Sequence, residues 1–355
     1  MFFFNPEHDL CLANGDINFM PPASALKFGH DCASLLEDVY ADSANICHNQ
    51  NIMVWGWNPS IRNRLKKAGI AESHLPSFTD LNNIKKLQHR RTALEGLKFI
   101  RSSVQQCNYL VCNSPMELFS AKDAEEFIRN NPDTTMLKAP LSGSGKGLRW
   151  TNSSSISHSD IGWCRQTIAK QGSVMAEIKE EVVQDFAMLF HIDTDGNIDF
   201  LGYSLFNTNN GAYTSNVLAS DDFILKTLSR YIPAKVIREV RNSVTKFLQT
   251  NIKGDYTGFI GADMFVCKGS AGTPFLLHPC VEFNFRHTMG IIARHLFNYR
   301  YNHLTGTDAD GSLQLKVVFS RSLQEFHKLT ANAVWCCSKP SDTPDPHGHY
   351  AIIIQ

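Results

Sequence analysis

The chain has 355 residues, 43% hydrophobic and 19% charged, the profile of a globular protein with room for two or three domains. Its 34 basic residues balance its 34 acidic ones, which excludes a global nucleic-acid footprint, and no apolar run approaches a membrane span. Met1-Phe2-Phe3-Phe4 is too short for a signal-peptide core and lacks a basic flank. The ten cysteines, at 11, 32, 47, 107, 112, 164, 267, 280, 336 and 337, form no CxxC pair, which argues against zinc. Cys112 and Cys267 stand in apolar context, as reduced thiols do. A reducing, cytoplasmic protein with no nucleic-acid and no membrane partner is expected.

Residues 1–85 read as a small α/β unit. Phe2-Phe3-Phe4 is a buried strand running into the polar cluster Asn5-Pro6-Glu7-His8-Asp9. Ligands of open α/β sheets bind at such strand ends, although a Pro6 turn with acids capping a helix would look the same. Met20-Pro21-Pro22 breaks the chain, and Ala23 to Leu36 is helix-like. Asn51 to Trp57 is a second strand, and Ser60 to Ala68 is a basic amphipathic helix with a solvated face. A helical stretch from Phe78 to Ser103 carries His89-Arg90-Arg91, and Tyr109 to Cys112 is a short strand. Ser120 opens a helix with Asp123, Glu125 and Glu126 in its first turns, where the helix dipole favours acids.

Met136-Leu137-Lys138 then leads into Ala139-Pro140-Leu141-Ser142-Gly143-Ser144-Gly145-Lys146-Gly147. Alternate glycines let backbone N–H groups turn towards an anion, and a lysine adds a point charge for phosphate. Two familiar phosphate loops are excluded. A Walker A loop ending at Lys146 needs glycine at 140 and serine or threonine at 147, where the chain has Pro140 and Gly147. A dinucleotide fingerprint from Gly143 needs glycine at 148, where it has Leu148. Taken alone, the cluster describes a surface hairpin equally well. The hairpin returns along Leu148 to Thr151, and Asp160 to Lys170 is a helix. Ser173 to Glu181 is a strand passing into a polar segment, and Val182 to Phe190 continues as a strand with Asp185 inside it. Asp193 to Asn197 is a hairpin turn and Ile198 to Phe206 the return strand. Asn207 to Asn216 is a polar candidate substrate loop, and Pro233 to Thr250 is an amphipathic helix.

Gly258 to Val266 is a mostly apolar strand with one acid, Asp263. After a short turn comes Phe275 to Arg286, in which Val281, Phe283 and Phe285 alternate with Glu282, Asn284 and Arg286 on opposite faces. Strands joined by a short turn pair with each other, so Asp263 comes beside Glu282 and Asn284. Two carboxylates and an amide oxygen suit Mg²⁺, which takes oxygen ligands and shares them with substrate phosphates. His287 reads as a hydrogen-bonded structural group rather than a base. A helix follows, then strands at 313–319 and 350–354 around a Pro-rich loop.

Lys138 with Gly143-Ser144-Gly145-Lys146-Gly147, then Asp263, then Glu282-Phe283-Asn284-Phe285-Arg286, resemble the ordered signature of the ATP-grasp superfamily over about residues 86–300. The resemblance implies an α/β (α+β) ATP-grasp fold. An N-terminal pre-ATP-grasp, Rossmann-like domain would span 1–85 and a small lid subdomain with the phosphate loop 86–176. A subdomain with the metal site would span 177–302, and a C-terminal extension 303–355. It also implies ATP and Mg²⁺ as cofactors. Lys138, Ser142, Gly143, Ser144, Gly145, Lys146 and Gly147 would hold the phosphates. Glu177, Ile178 and Lys179 would form the adenine-reading hinge, with Glu180 or Glu181 near the ribose and Asp185 just beyond. Asp263, Glu282 and Asn284 would hold the metal. Arg90 or Arg91 would replace the family's usual helix lysine, and Lys146 and Arg286 would be catalytic. The implied reaction activates a small-molecule carboxylate as an acylphosphate for attack by an amine or other nucleophile. A kinase of the same fold and a non-catalytic nucleotide sensor are the alternatives, and a homodimer is left open.

Overall fold

Phe2–Phe3 (β1) and Met53–Val54 (β2) pair in parallel, Phe2 opposite Met53 and Phe3 opposite Val54. The structure, a computed structural model, describes all residues except 41–51, 106, 144, 146, 271, 302–312 and 340–342. Around this two-stranded sheet lie α1 (His8–Asn14), α2 (Ala23–Asp31), α3 (Leu35–Tyr40) and α4 (Pro59–Lys67). The helix expected over 23–36 is thus two. Between them Cys32 is fully buried and its thiol donates to the carbonyl of Cys337 at 3.4 Å, so packing overrides local propensity there. Asn58 caps α4 by accepting from Ile61 N–H at 3.0 Å, with Pro59 at the first helical position.

The helical stretch over 78–103 is also interrupted. A Ser77/Asp80 capping box starts α5 (Phe78–Gln88), His89 is extended, and α6 (Arg91–Ser103) begins anew. The break lets Arg90 N–H donate to Pro140 O at 3.1 Å, so this corner is fixed on the glycine loop. The strand expected at 109–112 is reduced to one bridge between Leu110 and Leu277, and Cys112 is exposed rather than buried.

A four-stranded antiparallel sheet follows: β3 (Met116–Leu118), β4 (Thr135–Lys138), β5 (Leu148–Thr151) and β6 (Val174–Ile178), in the order β3-β6-β4-β5. Helices α7 (Ala121–Asn130) and α8 (His158–Gln171) pack on it over Leu118, Leu137, Cys164 and Ala176.

The main sheet comprises β7 (Val182–Ile192), β8 (Ile198–Asn209), β9 (Ala212–Val217), β10 (Gly258–Ser270), β11 (Thr273–Asn284), β12 (Gln314–Ser320), β13 (Trp335–Cys337) and β14 (His349–Ile354). Its order is β11-β10-β7-β8-β9-β12-β14-β13, with every neighbouring pair antiparallel. Helices α9 (Asp221–Leu228) and α10 (Ala234–Asn251) join α6 on one face, where Phe247 stacks on Phe283 at 5.6 Å. Gly96 lets α6 approach, since a Cβ there would lie 2.8 Å from the Phe283 ring. Helices α11 (Met289–Leu296) and α12 (Leu323–Thr330) complete the description. The segment 207–216, expected as a loop, is instead a β8–β9 hairpin turning at Asn210–Gly211, because its polar residues pair across strands. Residues read as a C-terminal extension add three strands, β12 to β14, to the same sheet. Among the described residues no helix is long and apolar enough to cross a membrane.

Candidate functional site

A cavity of about 910 Å³ is lined from the four- and eight-stranded sheets and by Phe4 and Trp55, which follow β1 and β2. On its floor β10 and β11 pair so that Asp263 is directly opposite Glu282 and Gly261 opposite Asn284. The amide Nδ2 of Asn284 donates to Asp263 Oδ2 at 2.9 Å, which leaves Asn284 Oδ1 as an acceptor. Burial, then the charge of Glu282, pushes the Asp263 carboxyl up to about 7. Burial also raises Glu282, with Arg90 pulling it back. Phe283 and Phe285 face the core as expected, but Val281 does not share their side. The β10–β11 register slips between Asp263 and Phe265, a bulge that turns Val281 to the cavity.

Arg90 ties this floor to the glycine loop. Its Nη1 is 3.0 Å from Glu282 Oε2, its Nε donates to Ala139 O at 3.2 Å, and its Nη2 donates to Ser142 O at 3.3 Å. Arg91 instead points away, bonding Glu117 through Nε at 2.7 Å with its side chain half exposed. Of the two candidates for the helix cation, Arg90 is the one in the cavity.

Arg286 is held by a residue from the other end of the sequence. Its Nε and Nη2 donate to Asp9 Oδ1 and Oδ2 at 3.1 and 2.9 Å, and its Nη1 donates to His287 O at 3.0 Å. This bidentate pair has strong geometry, and three of five N–H groups are engaged. Burial pushes the Asp9 carboxyl up, but Arg286, with His8 and Arg90, outweighs it and holds the group below its ordinary value. Gly143 lies against the pair: a Cβ there would be 1.9 Å from Asp9 Oδ2, so only glycine fits. Gly145, at φ +71°, meets the hairpin tip, where a Cβ would lie 2.7 Å from Gly211 O. Gly147, at φ +74°, closes the loop through its carbonyl, which accepts from Ala139 N–H at 2.8 Å. Ser144 and Lys146 lie outside the described residues.

Lys138 is buried and its ammonium pairs with Glu177 across the β4–β6 strands. The segment from Glu177 to Val182 lines the cavity, with Asp185 beyond it accepting from Thr208 Oγ1 at 2.8 Å. Burial raises the Asp185 carboxyl. Two residues of this segment, expected to read adenine or ribose, have other engagements. Lys179 N–H donates to Thr134 O at 2.8 Å, and Glu180 Oε1 accepts from Asn113 Nδ2 at 3.0 Å. His287 is enclosed by Tyr40, Trp55 and Phe259, and burial drives its pKa down to about 3, so it is structural.

The Asn5–Asp9 cluster stands out in the sequence, but its partner does not. Asp9 and Arg286 are 277 positions apart, and only a charge in each of two polar clusters hinted at the pair.

No family model matches the chain, and no curated protein does. Solved structures do. An N5-carboxyaminoimidazole ribonucleotide synthetase, solved as an ADP complex, aligns over 100% of this chain and 91% of its own at TM-score 0.52 and 11% identity. A biotin carboxylase from Campylobacter jejuni covers 100% and 81% at TM-score 0.48 and 13% identity. An L-amino acid ligase from Bacillus licheniformis covers 91% and 78% at 0.45 and 11%. At these identities the likeness is one of fold. The chain has the ATP-grasp fold.

Proposed function

We propose that the chain is a Mg²⁺- and ATP-dependent ligase that activates a carboxylate as an acylphosphate for attack by an amine or similar nucleophile. The observation that carries this reading is the β10–β11 register, which sets Asp263 against Glu282 and brings Asn284 to Asp263 beside the glycine loop. The donor set fits Mg²⁺. Two facing carboxylates and a spare amide oxygen offer oxygen ligands only, and the charge of Glu282 adds to the burial that raises Asp263. Asp263, Glu282 and Asn284 would hold the ion, which when bound neutralises charge on the phosphate oxygens.

The chain's residues then divide the work. Gly143, Gly145 and Gly147 bring backbone close to the phosphates, and Lys138 stands at the cavity wall between them and the hinge. With Lys179 N–H spent on Thr134, adenine is read by other backbone groups of the segment Glu177 to Val182. A carboxylate oxygen of the acid attacks the γ-phosphorus and the bond to the ADP oxygen breaks. The amine then attacks the acyl carbon, phosphate leaves with the bonding pair, and the amine gives up a proton. Positioning and charge neutralisation supply most of the catalysis, and no side-chain nucleophile is required. The two N–H groups left on Arg286 can hold an acylphosphate oxygen. Likeness of fold to a synthetase solved with ADP supports the nucleotide half.

The test incubates the protein with MgATP and pooled carboxylic acids and amines, following ADP and free phosphate separately. Phosphate release that requires an acid–amine pair, with a new amide mass, is expected. ADP without free phosphate, alongside a phosphorylated alcohol, would establish a kinase instead. AMP with pyrophosphate would overturn both.

A further inference from the structure

Part of the cavity wall comes from the N-terminal unit and from β14, and its character is different. Phe4, Phe28, Trp55 and Tyr350 form a continuous run of rings. Phe4 meets Trp55 edge-on at 5.1 Å and Phe28 edge-on at 5.2 Å, and Phe28 meets Tyr350 at 5.1 Å. Met289 and Val317 belong to the same cluster and also line the cavity. The segments carrying these rings contribute no basic side chain to the described lining, and the neighbouring charges, Asp9 and Arg286, are spent largely on each other.

A polar side chain lining the same cavity has one unpartnered atom. Asn216, on β9, is 1% exposed and lines the cavity. Its Nδ2 donates to Ser204 Oγ at 2.6 Å and to Leu205 O at 3.3 Å. A backbone carbonyl only accepts, so the amide nitrogen must face Leu205, and the orientation of the side chain is fixed. Oδ1 therefore points the other way, buried and without a hydrogen-bond partner. Ser204 lies against the start of α11, where a Cβ on Gly290 would be 2.8 Å from its Oγ, next to Met289 of the aromatic cluster. A buried acceptor left unsatisfied is costly unless a ligand satisfies it.

We propose that this wall is the acceptor subsite of the ligase, and that it takes a substrate with an apolar, aromatic-sized body and a nitrogen that donates a hydrogen bond to Asn216 Oδ1. An arylalkylamine has this chemistry. A phosphorylated acceptor does not, because the described residues of the wall carry no cation of their own to receive it. The assignment of the subsite to a ligase rests on the function proposed above; the ligand chemistry rests on the rings and the oriented amide.

The test titrates the full-length protein by calorimetry with benzylamine, phenethylamine and tryptamine, each with and without MgADP. Phenethyltrimethylammonium, which has no N–H, and ribose 5-phosphate serve as comparators. Saturable phenethylamine binding is expected, about tenfold tighter than that of the trimethylammonium analogue. Phe28→Ala should weaken phenethylamine about tenfold, and Asn216→Leu should close the gap between amine and analogue, both with MgADP affinity retained as the sign of an intact fold. Phe28→Leu, a milder change, should fall between. Failure of all three amines to bind, tighter binding of ribose 5-phosphate, or a gap that survives Asn216→Leu would each overturn the proposal. MgADP titration judges the ligase reading separately: amines that bind to a protein with no MgADP affinity would keep the aromatic subsite and remove the ligase.

Discussion

Two residues of the site are stressed in ways that their neighbours explain. Asp263 stands opposite Glu282 with its carboxyl pushed up to about 7, first by burial and then by that second acid. An arrangement that disfavours the resting protein and favours a bound cation trades stability for function. Asp263→Asn should therefore raise the apo protein's denaturation midpoint by about 1 kcal/mol equivalent while cutting Mg²⁺-dependent turnover more than about hundredfold. Equal loss of both, measured by urea titration and phosphate release, would assign Asp263 to the core instead. His287 makes the opposite case. Its ring is enclosed by aromatics and its pKa falls to about 3, so at neutral pH it is a neutral imidazole and a weak proton acceptor. His287→Phe should keep turnover within about threefold, whereas a general base would lose about a hundredfold or more. The acids and the asparagine of β10 and β11 were legible in the sequence because alternation on a strand fixes which side chains share a face. The bulge that moves Val281 was not, since nothing in local composition separates it from Phe283.

At the scale of elements, the glycine loop is shaped by what it touches. Gly143 abuts Asp9, Gly145 abuts the β8–β9 turn, and Gly147 closes the hairpin. The sequence signalled the loop and its anion-binding potential, but its contacts come from segments far away in the chain. The break at His89–Arg90 was hidden for the same reason. Helix periodicity runs through it, and the bond from Arg90 N–H to Pro140 O that fixes it is tertiary. Gly143→Ala should push the loop off the Asp9–Arg286 pair. MgATP affinity should then fall at least about tenfold while the thermal midpoint moves little, because a loop at the cavity edge buries few apolar contacts. Calorimetry with MgATP beside a melting curve would check this, and unchanged affinity would show that the loop does not close on phosphate.

For the molecule as a whole, three buried histidines contribute to its response to acid. Burial lowers His8 and His278 to about 4 and His287 to about 3, all from an ordinary value of 6.5. The unfolded chain therefore binds more protons than the folded one below pH 6.5, so their stabilisation is complete above that pH and is lost as pH falls towards 4. Asp263 works the other way between pH 7 and 3.8, gaining a proton earlier when folded. The urea midpoint should fall between pH 6.5 and 4, and more steeply in Asp263→Asn; a midpoint that is flat in both would contradict these environments. A last consequence follows from Asp9, which touches the glycine loop at Gly143 and Arg286 just past β11 while belonging to the unit that carries the aromatic wall. Two ligands that press on one shared contact are thermodynamically linked, and linkage is reciprocal. The factor by which MgADP tightens phenethylamine must equal the factor by which phenethylamine tightens MgADP. Asp9→Asn, which weakens the shared contact, should bring both factors towards one together.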